Sequence, residues 1–200
     1  DPSGNTAECS FNITVDDEEF PVLVTKDFTV NLDATGNAAI VPADVIQTMT
    51  DNCTGVTATV SQSAFTCANL GPVIILVTAT DASGNSVNAN ATVTVVDNIP
   101  PVITCADATV TLDATGNGTL NIGDVTTGPA TDNCSVASVT LSRSAFTCAD
   151  LGVVQVTVTA TDDSGNTANC TAQVTVADAF PLSVSAGSDG SICATDPSFT

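Results

Sequence analysis

The chain has no histidine, tryptophan or tyrosine, one methionine, and only two basic residues, Lys26 and Arg143, among 200. Each absence excludes something. Without His, the side chain that most often serves as general base and transition-metal ligand is missing. Two cations against 22 acids give a net charge of −20. Nothing here can replace the counterions on a nucleic-acid backbone, and anionic membrane surfaces are unfavourable partners. No run approaches the ~18 apolar residues that a membrane span needs. With seven Phe as the whole aromatic complement, the core must be built from Val, Ile, Leu and Ala. Hydrophobic content is nevertheless 43 %, too high for a disordered acidic tail. The charge itself has two readings: a solvated surface, or ordered cation sites that relieve self-repulsion.

What is present, above all, is a repeat. Asp51 to Asn85 and Asp132 to Asn166 share the landmarks DNC, SAFTCA, LG, TATD and SGN, all at one offset, 132 − 51 = 81. Self-similarity on that scale means tandem modules, and 200 residues at about 100 per domain agree with two. Residues 1–15 match residues 162–176 and read as the closing hairpin of a preceding, truncated module. Module one then covers 16–97 and module two 98–178, while 179–200 break the pattern and read as the start of a different domain. The chain begins in mid-pattern without a signal peptide, as a piece of something larger would.

Within a module the period is two. Val154 to Ala160 and Ala172 to Val176 alternate apolar and polar residues around Asp162-Asp163-Ser164-Gly165-Asn166, a hairpin turn in composition. Asp113 to Asn117 forms a second such turn. About seven short strands per module, with turn signals every 8–12 residues, predict an all-β fold of tandem immunoglobulin-like β-sandwiches. They would be joined end to end by short junctions such as Asn98-Ile99-Pro100-Pro101, where proline limits bending. No stretch is convincingly helical.

Eight Cys beside no His read as disulfides of an oxidising compartment, not as zinc ligands; no CxxC occurs. Both modules carry the DNC and FTC cysteines, Cys53 with Cys67 and Cys134 with Cys148, and these are expected to pair within each module. Module two adds Cys105 and Cys170, whose counterparts in module one are Thr25 and Ala89. The two are lost together, as a bonded pair would be, so Cys105–Cys170 is the third expected bond. Cys9 matches Cys170 and calls for a partner upstream; Cys193 calls for one downstream.

Catalysis is not expected, because no Ser or Cys stands beside a base and Asp162-Asp163 lies in a turn, not across a cleft. Calcium is the candidate cofactor, since it takes six to eight oxygens from Asp, Asn and carbonyls. In a sandwich of this kind the loops holding Asp132-Asn133 and Asp162 to Asn166 project from one end, where the junction Asp97-Asn98 enters. The first-boundary counterparts are Asp16, Asp17, Glu18, Glu19, Asp51, Asn52, Asp81 and Asn85. The competing reading is that these are turn formers bonding their own backbone; it is preferred for the Asp33 to Asn37 turn. The Asn-x-Ser/Thr matches at Asn12, Asn90 and Asn169 are treated as chance.

DNC, FTC, TATD-x-SGN and a closing C-x-x-x-VTV before a PPVI-type junction together resemble the hyalin repeat, the HYR-type module. The resemblance covers both modules and the leading hairpin, and implies immunoglobulin-like adhesion modules of extracellular proteins. The Thr/Val/Asp-rich, aromatic-poor style and the Ser183 to Asp196 continuation look most like giant repetitive surface adhesins of gliding bacteria. That likeness implies export by the type IX pathway and movement along the cell surface. The expected function is a non-catalytic stalk segment of such an adhesin. The alternatives are a module that itself binds a glycan or protein, or an appendage of a secreted enzyme. Expected partners are neighbouring repeats of the same chain, export machinery and an extracellular surface ligand.

Overall fold

The computed structural model describes residues 2–179; residues 180–200 lie outside the described residues, and with them Cys193 and the expected start of a further domain. The fold is all-β, with tandem immunoglobulin-like β-sandwich modules. In the first repeat the strands are β1 (Val22–Thr25), β2 (Phe28–Asn31), β3 (Asn37–Ala39), β4 (Ile46–Thr50), β5 (Thr57–Val60), β6 (Ala64–Thr66), β7 (Gly71–Thr80) and β8 (Ser86–Val96). The second repeat contributes β9 (Ala108–Leu112), β10 (Asn117–Thr119), β11 (Val136–Leu141), β12 (Ala145–Thr147), β13 (Gly152–Asp162) and β14 (Thr167–Asp178). One helical turn, α1 (Pro42–Val45), departs from the helix-free expectation. Pro42 brings a helix-ready φ, and the Asp44 carboxylate accepts the Val41 amide at 2.8 Å. A single turn carries no 3.6-residue periodicity to read.

By Cα packing the chain forms two compact units. Among the described residues, one takes those up to Val30, Ala39–Phe65 and Gly71–Val95; the other takes Asn31–Ala38, Thr66–Leu70 and those from Val96 to 179. The second unit therefore includes two short pieces of the first repeat.

Each repeat is organised on a long hairpin. β7 and β8 pair antiparallel from Gly71↔Val95 to Thr80↔Ser86, and β13 and β14 from Gly152↔Val176 to Thr161↔Thr167. The sheet orders are β2-β8-β7-β5 and β11-β13-β14-β9. β9 runs parallel to β14, from Ala108↔Val174 to Leu112↔Asp178, which requires the chain to cross over the sandwich between them. The short ladders β1-β4, β3-β6 and β10-β12 lie outside these two sheets.

Alternation sets the core. Val156, Val158 and Ala160 of β13 and Ala172, Val174 and Val176 of β14 are buried, and Val110, Leu112, Leu120, Val125 and Phe146 are buried with them. The first unit repeats the arrangement with Ile75, Val77 and Ala79, Ala91, Val93 and Val95, and Phe65 in place of Phe146. One buried phenylalanine per repeat supplies the largest side chain of an otherwise aliphatic interior.

Candidate functional site

The hairpin geometry gathers acids. Asp162 ends β13, and β11 is paired so that Val136 faces it; the loop before β11 thus brings Asp132 to the same place. Asp97 follows β8 directly. Carboxylate oxygens of Asp97, Asp132 and Asp162 lie within 4.8 Å of one another. Asp97 and Asp162 are buried, at 3 % and 2 % exposure, and neither has a basic partner. Arg143 is engaged with Asp150, and Lys26 is the chain's other cation. Buried charge without a counter-charge is costly.

Hydrogen bonds satisfy part of the cluster and leave a definite remainder. Asp162 Oδ1 accepts the Asn166 amide at 2.7 Å and Oδ2 accepts Asn166 Nδ2 at 2.8 Å. The same Nδ2 donates to the Asp97 carbonyl at 3.0 Å, so Asn166 ties the hairpin turn to the incoming strand. Asp97 Oδ1 accepts from the Ile99 amide and from Asn133 Nδ2. Asp132 Oδ1 accepts the Cys134 and Ser135 amides. Asp97 Oδ2, Asp132 Oδ2 and Asn133 Oδ1 are buried and have no hydrogen-bond partner. Carboxylate and amide oxygens with no donor are the donor set a hard divalent cation takes. Of the junction residues, Asn98 turns away and donates to Asn31 Oδ1 at 2.9 Å.

The first repeat builds a reduced version. Asp17, Asp51 and Cys53 come together, and Asp17 Oδ2 and Asp51 Oδ1 are again buried and unpartnered. Asn85 Nδ2 donates to the Asp17 carbonyl at 3.0 Å and to Asp81 Oδ2 at 2.8 Å, which makes Asp17, not Asp16, the counterpart of Asp97. Asp16 is exposed outside the cluster. Asn52 donates to Glu19 at 2.8 Å. Asp81 is buried. Burial works to raise its carboxyl, but the Asn85 side chain and the Asn85, Gly84 and Ser83 amides outweigh that and hold it below the ordinary carboxylate range. The Cys53 thiol is pushed up by the Asp17 side chain beside it, then by burial and by the charges of Asp17, Asp51 and Asp81. A protonated thiol is no ligand for a hard cation.

The turn reading describes the Asp33 side chain. Asp33 Oδ1 accepts the Thr35 amide, the Thr35 hydroxyl and the Asn37 amide. These bonds, the Thr35 hydroxyl first, hold its carboxyl below the ordinary value. The Asp33 carbonyl meets the acidic loop, accepting Asn133 Nδ2 at 3.2 Å.

The cysteines correct the expected pairing. Cys105–Cys170 is bonded, with Cα atoms 5.7 Å apart. Cys67, however, is bonded to Cys134, with Cα atoms 5.5 Å apart. Cys53 is a free thiol, and Cys148 is disulfide-bonded but not to Cys134. The expected Cys53–Cys67 and Cys134–Cys148 bonds are therefore absent, for a geometric reason. Cys134 precedes β11, whose Val136 pairs with Asp162 at one end of β13. Cys148 opens the 3-10 turn Cys148–Asp150, which leads into Gly152 at the other end. Eleven residues of strand rise about 35 Å, whereas a disulfide needs Cα atoms within about 7 Å. Hairpin register carried that information; reading each repeat as self-contained hid it.

The sandwich and its crossover define an immunoglobulin-like module. Comparison is more particular for one repeat: residues 96–176, which span the second, match the HYR domain family model, and the first repeat shares the landmarks of the second. No curated protein matches the sequence. Similar solved structures include human protocadherin-24 EC1-2, at 12 % identity and TM-score 0.43, covering 79 % of this chain and 98 % of that one. Drosophila N-cadherin EC1-4 has 14 % identity and TM-score 0.40, covering 79 % and 49 %. Mouse cadherin-23 EC22-24 has 16 % identity and TM-score 0.37, covering 80 % and 65 %. The chain thus spans less than two thirds of the length of the latter two. Among the described residues, no helix is long and apolar enough to cross a membrane.

Proposed function

We propose that the chain is a non-catalytic stalk segment of a large cell-surface adhesin whose repeats are stiffened by calcium at the acidic clusters. The observation that carries the cation is the set of buried, unpartnered oxygens, Asp97 Oδ2, Asp132 Oδ2 and Asn133 Oδ1, beside buried Asp162. In a chain of net charge −20, a divalent ion there offsets both the desolvation of the carboxylates and their mutual repulsion. Asp97, Asp132 and Asp162 would hold the ion, with Asn133 beside them and Asn166 orienting Asp162. In the first repeat Asp17 and Asp51 would do so, next to Asp81. The extracellular setting is supported by the disulfides and by the HYR-type sequence. Export by the type IX pathway and a part in gliding motility extend the resemblance to the repetitive adhesins of gliding bacteria. The parent protein would then present a distal binding region to a surface ligand, with the repeats bearing the tension.

Thermal unfolding with excess calcium and then with chelator tests the cation. A ligand that binds the folded state at 100 times its Kd adds about 2.7 kcal/mol, so a clear upward shift in Tm is expected. Asp97→Asn and Asp132→Asn should each remove most of that shift. Equal Tm with calcium and with chelator would leave the carboxylates as turn chemistry alone.

A further inference from the structure

The two repeats present their DNC cysteines alike. The Cys53 amide donates to Asp51 Oδ2 at 3.0 Å, and the Cys134 amide donates to Asp132 Oδ1 at 2.9 Å. The same Asx loop thus holds both sulfurs. They differ in one respect: Cys134 is bonded to the FTC cysteine of the repeat before it, Cys67, and Cys53 is an exposed free thiol.

The FTC cysteines are also alike. Each opens a 3-10 turn, Cys67–Asn69 or Cys148–Asp150, and each Sγ packs against the glycine of a DATGN turn. A Cβ on Gly36 would stand 2.7 Å from Cys67 Sγ, and one on Gly116 would stand 2.7 Å from Cys148 Sγ. Both glycines have left-handed φ, +72° and +77°, so side chains are excluded from this seat twice over. Both FTC cysteines are disulfide-bonded, and neither to the DNC cysteine of its own repeat.

We infer that Cys53 is the acceptor half of an inter-repeat disulfide, bonded to the FTC-type cysteine of an HYR-type repeat that precedes it in the same polypeptide. The rule is that where one HYR-type repeat follows another, the FTC cysteine of the first bonds the DNC cysteine of the second, as Cys67 bonds Cys134, which makes consecutive repeats a covalent ladder and not a string of separately closed modules. Residues 1–15 supply an independent indication. They match 162–176, which places Cys9 on Cys170, and Cys170 is bonded to Cys105 of its own repeat. Cys9 is likewise an exposed free thiol. The two free cysteines each lack the partner that a preceding repeat would provide, one of FTC type and one of Cys105 type. Forming the Cys53 bond removes two protons and two electrons from two thiols; a disulfide oxidant takes them up and leaves as two thiols. The inference does not rest on cation binding, since Cys134 is bonded whether or not an ion is held.

The test is non-reducing peptide mapping of the protein as its own cells make it, after alkylation of free thiols. The expected result is a Cys53 peptide linked to an upstream peptide carrying the Phe-Thr-Cys landmark, and a Cys9 peptide linked to a Cys105-type one. An alkylated Cys53, a Cys9–Cys53 link, or a link that holds two separate chains together would each overturn the inference. The rule is also testable within the present sequence. In Cys67→Ser, Cys134 should become fully alkylatable while Cys105–Cys170 stays intact as a check on folding. Re-pairing of Cys134 with Cys148 would sink the ladder.

Discussion

At the scale of single residues, the sole arginine is the sharpest difference between the repeats. Arg143 bonds Asp150, donates Nε to the Ala145 carbonyl at 2.8 Å, and lies 4.8 Å over the Phe146 ring. The same positions in the first repeat are Gln62 and Asn69, neutral at both ends. Asn69 Oδ1 still accepts the Thr66 amide at 3.0 Å, as Asp150 Oδ2 accepts that of Thr147 at 2.8 Å. The capping bond is therefore common to both repeats, and the charge is an addition. Arg143 first, then the Thr147 amide, holds the Asp150 carboxyl below its ordinary value. A carboxyl lowered in the folded state contributes stability above its unfolded pKa, and that contribution is lost as pH falls through the folded one. Arg143→Gln should therefore lower Tm at neutral pH. The gap from wild type should close as the buffer is taken below about pH 4, and it should narrow in high salt because the pair is partly exposed. A gap that persists in acid would assign the effect to packing on Phe146.

At the scale of elements, the two repeats fasten their leading segment to the last strand by different means. In the second, Cys105 is bonded to Cys170 of β14. In the first, where Thr25 and Ala89 stand in their places, the Thr25 hydroxyl donates to the Asn90 carbonyl at 2.6 Å. A hydrogen bond contributes about 1 kcal/mol net; a disulfide contributes about 2–4 kcal/mol through loop entropy. Cys105→Ser with Cys170→Ser should thus cost about 2–4 kcal/mol in denaturant unfolding. Phe146→Ala, which empties the largest buried side chain of that core, should cost about 3–5 kcal/mol. The long hairpins were legible from alternation, and their Asp–Asn turns from composition, because both are local. The short ladders and α1 were less so, since three to five residues carry too little period to read.

At the scale of the whole molecule, unequal fastening predicts unequal stability. Calorimetry should resolve two transitions, the lower one belonging to the repeat without a Cys105-type bond, and the Cys105→Ser/Cys170→Ser variant should bring them together. A single transition in wild type would mean that the Cys67–Cys134 bond makes unfolding one cooperative event. Much of this protein was fixed by sequence alone: the tandem β-sandwich class from the repeat and its period-two strands, and the acidic segments from their recurrence. The joint loss of Cys105 and Cys170 counterparts likewise identified a pair that the structure shows bonded. Those properties are local, or are read by comparing one repeat with the other. Tertiary structure decided which acids meet and which cysteines join. It seats Asp17 and not Asp16 beside Asp51, leaves the Asp33 carboxyl in its own turn, and gives Cys67 to Cys134. The reason is physical: strand length and register set which loops share an end of the sandwich, and no spacing along the chain states that distance.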